Sequence, residues 1–125
     1  AARGAGFNVF DRIIPYVAGL DTVHLQIKQC LGEAIQLNKI SQKAAYLYFI
    51  SSEQDGVIKS IKGIENIQNI KEIAKIKLFY KEGDQVKKLS SGSDRIGYIL
   101  SLSDNIDYCK KAIILAKQYL NLEIN

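Results

Sequence analysis

The stretch SSGSDRIGYILSLSDNIDYCKKAIILAKQYL, Ser90–Leu120, changes its hydrophobic period once, and that change decides the fold. Over Arg95–Ser101, Ile96, Tyr98 and Leu100 alternate with Gly97, Ile99 and Ser101, the two-residue period of a strand. From Ser103 or Asp104 as N-cap, apolar residues recur at Ile106, Cys109, Ile113, Ala116 and Leu120. Lys110, Lys111, Lys117 and Gln118 take the opposite face. A strand running straight into an amphipathic helix predicts a sheet with a helix laid on one face.

Upstream, Ala44–Ile50 is rich in β-formers and Val57–Ile61 reads as its answering strand. Between them Asp55-Gly56 supplies a hairpin turn signal. Gly63 breaks to a helical turn over Ile64–Ile70. Ile73–Tyr80 then reads as a strand, Glu82-Gly83-Asp84 as a turn and Gln85–Leu89 as a short return strand. Before all of these, Phe7–Ala18 has helical spacing limited by Pro15, and Asp21 is a natural N-cap for a helix with the stripe Val23, Ile27, Cys30, Leu31 and Ala34. Two such short helices need another surface to bury their stripes. The predicted fold class is therefore α+β: two N-terminal helices, then a small antiparallel sheet unit covered by a C-terminal helix. The expected division is 1–35, a polar linker at 36–43, and 44–125.

The chain has 125 residues, 17 Lys+Arg against 13 Asp+Glu and a net charge of +4. That length suits one globular unit, and 47% hydrophobic residues give it a core to bury. No apolar run approaches the ~18 residues of a membrane span, and no leader pattern opens the chain, so a cytoplasmic protein is expected. The lysines are interleaved with acids, as in Lys71, Glu72, Lys75, Lys77, Lys81 and Glu82, which argues against nucleic acid as a partner. Cys30 and Cys109 match no metal-ligand spacing and are expected as buried free thiols. With no methionine and Ala1 first, either an initiator methionine was trimmed or the chain is a piece of something longer.

Chemistry-bearing residues are few. His24 is the single histidine and reads as a solvated or capping residue of a first helical turn, without a Cys or Ser elbow to serve. Glu82 and Asp84 flank Gly83 as ordinary turn formers. Arg3 is the exception: in Arg3-Gly4-Ala5-Gly6-Phe7 a forked cation and two glycines precede a helix, so guanidinium and backbone amides can converge on one anionic group.

The order of segments carries more than any one of them. Ala1-Ala2-Arg3-Gly4-Ala5-Gly6-Phe7, then Ala18-Gly19-Leu20-Asp21 and Cys30-Leu31-Gly32-Glu33, resembles the end of the catalytic core in ATP-grasp ligases. The rest of the chain is similar to the small C-terminal subdomain of biotin carboxylase-like and L-amino-acid-ligase-like members. Asp55-Gly56-Val57-Ile58 resembles its Pro/Gly-Gly-x-Ile hairpin, and Ser91-Gly92-Ser93-Asp94-Arg95-Ile96-Gly97-Tyr98-Ile99 its Ser-x-Asp-Arg/Met-Ile/Leu-Gly strand. The resemblance implies that Arg3 is the catalytic arginine contacting the activated phosphate or the substrate carboxylate. It implies that Gly4, Gly6 and Phe7 shape the substrate pocket. It further implies ATP and Mg²⁺ as cofactors of a full-length ligase, with a small carboxylate as substrate and a preceding ATP-grasp core as partner. The magnesium-binding Glu would lie before Ala1, so this chain alone is expected to hold no metal and to be inactive. A second copy of the chain is another expected cover for the apolar stripes. Two alternatives stand beside this reading. Tyr80–Lys88 is similar to the Gly-Asp-x-Val turn of biotinyl and lipoyl carrier domains, and a non-catalytic interaction module with an acidic partner fits the mild positive charge.

Overall fold

The computed structural model describes Gly6, residues 8–37, Ser41 and residues 43–125. Its elements are α1 (Ile14–Ala18), α2 (Thr22–Cys30), β1 (Ala44–Ile50), β2 (Gly56–Lys62), α3 (Ile64–Gln68), β3 (Ile73–Leu78), β4 (Gln85–Val86), β5 (Gly97–Ser103), α4 (Ile106–Tyr119) and β6 (Asn121–Ile124). A π-helical turn over Val9–Ile13 leads into α1. The α+β class holds, with helices and small antiparallel sheets both present.

Two three-stranded sheets share one core. The first has the order β1-β5-β3 and the second β4-β2-β6, every pair antiparallel. β5 is central in the first, and Gly97–Ser101 are all buried. Strand alternation sends Ile99 and Ser101 toward one face and Tyr98, Leu100 and Leu102 toward the other. α4 lies on the Ile99 face, burying Cys109, Ala112, Ile113 and Ala116. Ile50 and Ile99 of the first sheet, with Ile96 just before β5, there meet Ile58 and Val86 of the second, Ile67 of α3, and Ile113. Burying these seven branched side chains is what joins the sheets, at roughly 1.5–3 kcal/mol each.

Several expectations are corrected. β1 and β2 are not a hairpin: β1 pairs with β5, opposing Tyr48 to Ile99, while β2 pairs with β4 and β6. Asp55 and Gly56 instead carry the chain from one sheet to the other. The Asp55 carboxylate accepts the Lys88 N–H at 2.7 Å, and Gly56 pairs with Val86. Of Gln85–Leu89 only Gln85–Val86 is strand, because beyond Val86 the chain turns to bridge Lys88 to Ser52. Asn121–Ile124 adds an unforeseen strand on β2. The α4 N-cap is Asn105, whose side-chain oxygen accepts the Asp107 N–H at 2.8 Å, rather than Ser103 or Asp104. Asp21 does cap α2, accepting the His24 N–H at 2.9 Å. Cys109 is buried but Cys30 is exposed, because the α2 stripe finds no cover among the described residues. Val23, Ile27 and Leu31 of that stripe are 46%, 55% and 69% exposed.

Candidate functional site

Of the residues expected to form the site, Arg3, Gly4 and Phe7 lie outside the described residues. Gly6 is exposed, with open space where a Cβ would stand, and its carbonyl accepts the Val9 N–H at 3.2 Å. The chain behind it is not a regular helix start. Asn8 takes the left-handed conformation at φ 61°, and its carbonyl accepts both the Arg12 N–H at 3.1 Å and the Ile13 N–H at 2.8 Å. The second bond spans five residues, which widens the turn into a π-helix, a form that gathers at functional positions. The Thr22 hydroxyl donates to the Phe10 carbonyl and so ties the turn to α2.

Between this segment and the Leu100 face of the first sheet lies an open cleft of about 430 Å³. Asp11, Arg12, Pro15 and Tyr16 form one wall, and Ala74, Lys75, Leu100 and Leu102 the other. α1 is held over the sheet by the main chain, Ser41 N–H to the Ala18 carbonyl at 3.0 Å and Lys43 N–H to the Val17 carbonyl at 3.5 Å. The Lys43 ammonium sits 4.9 Å from the Tyr16 ring centre and 3.9 Å from the Asp104 carboxylate. Its floor is apolar, and on its walls stand Lys75 and the ion pair of Arg12 with Asp11, 3.9 Å apart. Sequence reasoning missed it because its two walls are some sixty residues apart in the chain. The one local signal is Arg12 and Tyr16, a turn apart on the same helical side.

The Ser91–Gly97 segment is tied into the fold by Asp94, Arg95 and Ile96. Asp94 accepts from the Ser90 hydroxyl at 2.8 Å, the Ser90 N–H at 3.1 Å and the Ser91 N–H at 2.7 Å, and Ser91 caps the short 3₁₀ turn Gly92–Asp94. Arg95 stacks on Phe49 at 3.8 Å, and Ile96 is fully buried. On the same face Tyr98 lies across from Phe49 in register and 6.0 Å from Phe79, and the Lys77 ammonium stands 5.7 Å over Phe79. This is a ladder of cations on aromatics.

The Asp94 bonds have a measurable consequence. Donation by the Ser90 hydroxyl, then by the Ser90 and Ser91 N–H groups, lowers its pKa from 3.8 to about 2. A depressed carboxyl contributes stability that is complete above its unfolded value and lost as pH falls toward the folded one. The protein is expected to lose part of its stability between about pH 4 and pH 2, and Asp94→Asn to flatten that limb in urea titrations run across the range. An unchanged acid limb in the variant would contradict this assignment.

The remaining candidates are turn and cap residues. Glu82 accepts the Ile61 N–H of β2 at 2.9 Å, and Asp84 accepts the Lys81 N–H at 2.8 Å within the turn around Gly83, so both carboxylates are engaged. His24 is exposed at the start of α2. Among the described residues no group of three or more His, Cys, Asp or Glu is placed to hold a metal ion, and no helix is long and apolar enough to cross a membrane.

The arrangement of the described residues, two small sheets with a covering helix behind a helical segment, is matched elsewhere. Residues 48–125 match the family described as L-amino acid ligase C-terminal domain 2. The chain belongs to that family. The resemblance to the C-terminal subdomain of ATP-grasp ligases therefore stands, and the carrier-domain and interaction-module readings are not favoured. Among solved structures, the chain superposes over 94% of its length on the L-amino acid ligase from Bacillus licheniformis, with a TM-score of 0.77 and 18% identity. It does so with a TM-score of 0.72 and 22% identity on phosphoribosylglycinamide synthetase from Anaerococcus prevotii. N5-carboxyaminoimidazole ribonucleotide synthetase from Thermotoga maritima follows at a TM-score of 0.51 and 10% identity over 90% of the chain. At these identities the likeness is one of fold. A curated relative, the Sinorhizobium fredii protein y4rH, is 25% identical over 96 residues, 77% of this chain. The chain spans 20% of that relative and 29–31% of the three solved enzymes.

Proposed function

We propose that this chain is the C-terminal part of an ATP-dependent ligase that joins a small carboxylate to an amine, and that it is inactive alone. In this reading residues 1–35 end the catalytic core, 36–43 are the linker and 44–125 are the covering subdomain. Arg3 is the catalytic residue, and Gly4, Gly6 and Phe7 form one wall of the substrate pocket. The observation that carries the reading is the reach of the fold match. The family match begins at residue 48, yet the likeness to an L-amino acid ligase takes in 94% of the chain, and so also the helical segment that follows Arg3.

The chemistry runs in two steps. A carboxylate oxygen attacks the γ-phosphorus of ATP, the bond to ADP breaks, and an acyl phosphate forms. The amine nitrogen then attacks the acyl carbon, loses a proton and expels inorganic phosphate. Arg3 would supply paired N–H donors and a fixed positive charge to the carboxylate and then to the phosphoryl oxygens. The described residues hold no carboxylate cluster fit for the magnesium ion that the resemblance implies, so this chain's contribution is its own cation and its pocket wall. The exposed thiol of Cys30 fits the reducing, ATP-rich cytoplasm proposed as its compartment.

The test is phosphate release by the full-length protein with ATP and pairs of amino acids, with the condensed product identified by mass. Release that depends on both amino acids supports the reading. Release with no pair of carboxylate and amine, or turnover by the 125 residues alone, would overturn it.

A further inference from the structure

The helical segment that follows Gly6 lies on the first sheet without being packed into it. None of the residues of the Val9–Ile13 turn, of α1 or of α2 is buried. Leu100 on the sheet face below is 2% exposed, so the segment does cover that face. The fit under α1 is nevertheless incomplete. Tyr16 and Leu102 line both the cleft of about 430 Å³ and a second open cleft of about 490 Å³ that reaches Asp104 and Tyr108. Apolar burial, the usual hold between two parts of a fold, is thin at this contact.

The contacts that fix the segment are polar. The Ser41 and Lys43 N–H groups donate to the Ala18 and Val17 carbonyls at the end of α1. The Lys43 side chain makes a second crossing, directly before β1. Its ammonium stands 4.9 Å from the Tyr16 ring centre on α1 and 3.9 Å from the carboxylate of Asp104, in the turn between β5 and α4. One cation thus touches the segment on one side and the sheet unit on the other. The cation–ring contacts of Lys77, Arg95 and Lys117 all stay within the sheet unit. Asp104 is 86% exposed, so its ion pair adds little, and the half-buried Tyr16 ring is the stronger half of the contact.

We propose that Lys43 is a positioning residue: its ammonium, seated on Tyr16, latches the helical segment onto the sheet unit and so sets where the residues before that segment stand. Arg3 is among those residues, so the latch bears on the proposed reaction and in this respect rests on the ligase reading. Lys43 touches no substrate; it acts through α1. A contact of this kind shifts the balance between a seated and a lifted segment by about three- to fivefold. That is enough to adjust the segment's position without deciding whether the protein folds.

The test is hydrogen exchange followed by mass spectrometry on the full-length protein, read on the peptide that holds the Ser41 and Lys43 amides. Tyr16→Leu is expected to speed exchange there by about three- to fivefold, whereas Tyr16→Phe, which keeps the ring, leaves it unchanged. Peptides of β5 and α4 keep their rates in both variants. In ligase assays Lys43→Met is expected to lower kcat by a similar factor with KM for ATP unchanged, and Lys43→Arg, which still offers a cation to the ring, to restore it. Adding Tyr16→Leu to Lys43→Met costs nothing more, because the two share one contact. Exchange that stays level in Tyr16→Leu, or rises equally in β5 and α4, overturns the latch. A kcat indifferent to Lys43→Met overturns its positioning role. A full-length protein without ligase activity strikes the ligase reading instead, and the exchange rates still decide the latch.

Discussion

Gly63→Ala is expected to destabilise the protein by about 3–5 kcal/mol, while the same change at Gly83 costs about 1 kcal/mol. Both glycines hold left-handed conformations, at φ 88° and φ 91°, so both substitutions carry the strain of giving an L side chain a positive φ. They differ in what a Cβ would meet. At Gly83 there is nothing within 4 Å. At Gly63 the added carbon would stand 1.9 Å from the Tyr119 carbonyl oxygen and 2.7 Å from its carbon. Those are main-chain atoms at the last residue of α4, where the chain turns into β6, so no side-chain rotation relieves the overlap. Relief requires the end of α4 to move, and α4 brings Ile113 and Ala116 to the core and hands β6 to β2. Urea midpoints with a shared slope separate the two effects. Equal shifts for the two variants would show that conformational strain alone is at stake and that the approach of Gly63 to Tyr119 is not a constraint.

The same region shows which parts of the fold a sequence can report. β5 and α4 are legible because their signals are local: alternation at Ile96, Tyr98 and Leu100, then helical spacing at Cys109, Ile113 and Ala116. Partner choice is not local. The Asp55-Gly56 turn signal predicts that β1 and β2 pair, but β1 gains more from β5, where Tyr48 faces Ile99 and Leu47 faces Leu100, while Ile58 on β2 closes the core from the second sheet. β6 is hidden in the sequence because four residues show too little pattern, and β2 rather than their own propensity makes them a strand. The α4 N-cap falls at Asn105 and not Asp104 because three adjacent residues all have capping side chains, and only the folded backbone selects among them. As for the site, Arg3-Gly4-Ala5-Gly6-Phe7 gains meaning only through the order of segments around it. The cleft between Arg12 and Lys75 and the stack of Arg95 on Phe49 exist only after folding. Asp94 and Arg95, which the resemblance singles out as a motif, serve the loop and the sheet face.

If Arg3 has the role proposed above, Arg3→Ala in the full-length protein is expected to lower kcat/KM for the proposed carboxylate substrate by about 10²–10³-fold, the usual effect of removing one preorganised charged donor from a developing anion. How the loss divides between kcat and KM reports which anion the side chain holds. A guanidinium that only anchors the ground-state carboxylate would raise KM and leave kcat in place; one that holds the phosphoryl oxygens as charge is redistributed would lower kcat, and that is the division expected here. Arg3→Lys keeps the charge but loses the planar fork, so it is expected to recover about tenfold of the loss and not the whole. Gly6 supplies the control. It is exposed with open space at the Cβ position, so Gly6→Ala should leave the unfolding midpoint unchanged. Any rise in KM in that variant would then come from crowding of the substrate itself. Should Arg3→Ala retain full activity in an otherwise active ligase, the arginine would have no place in the reaction, and the anion would have to be met by a cation from the preceding part of the protein.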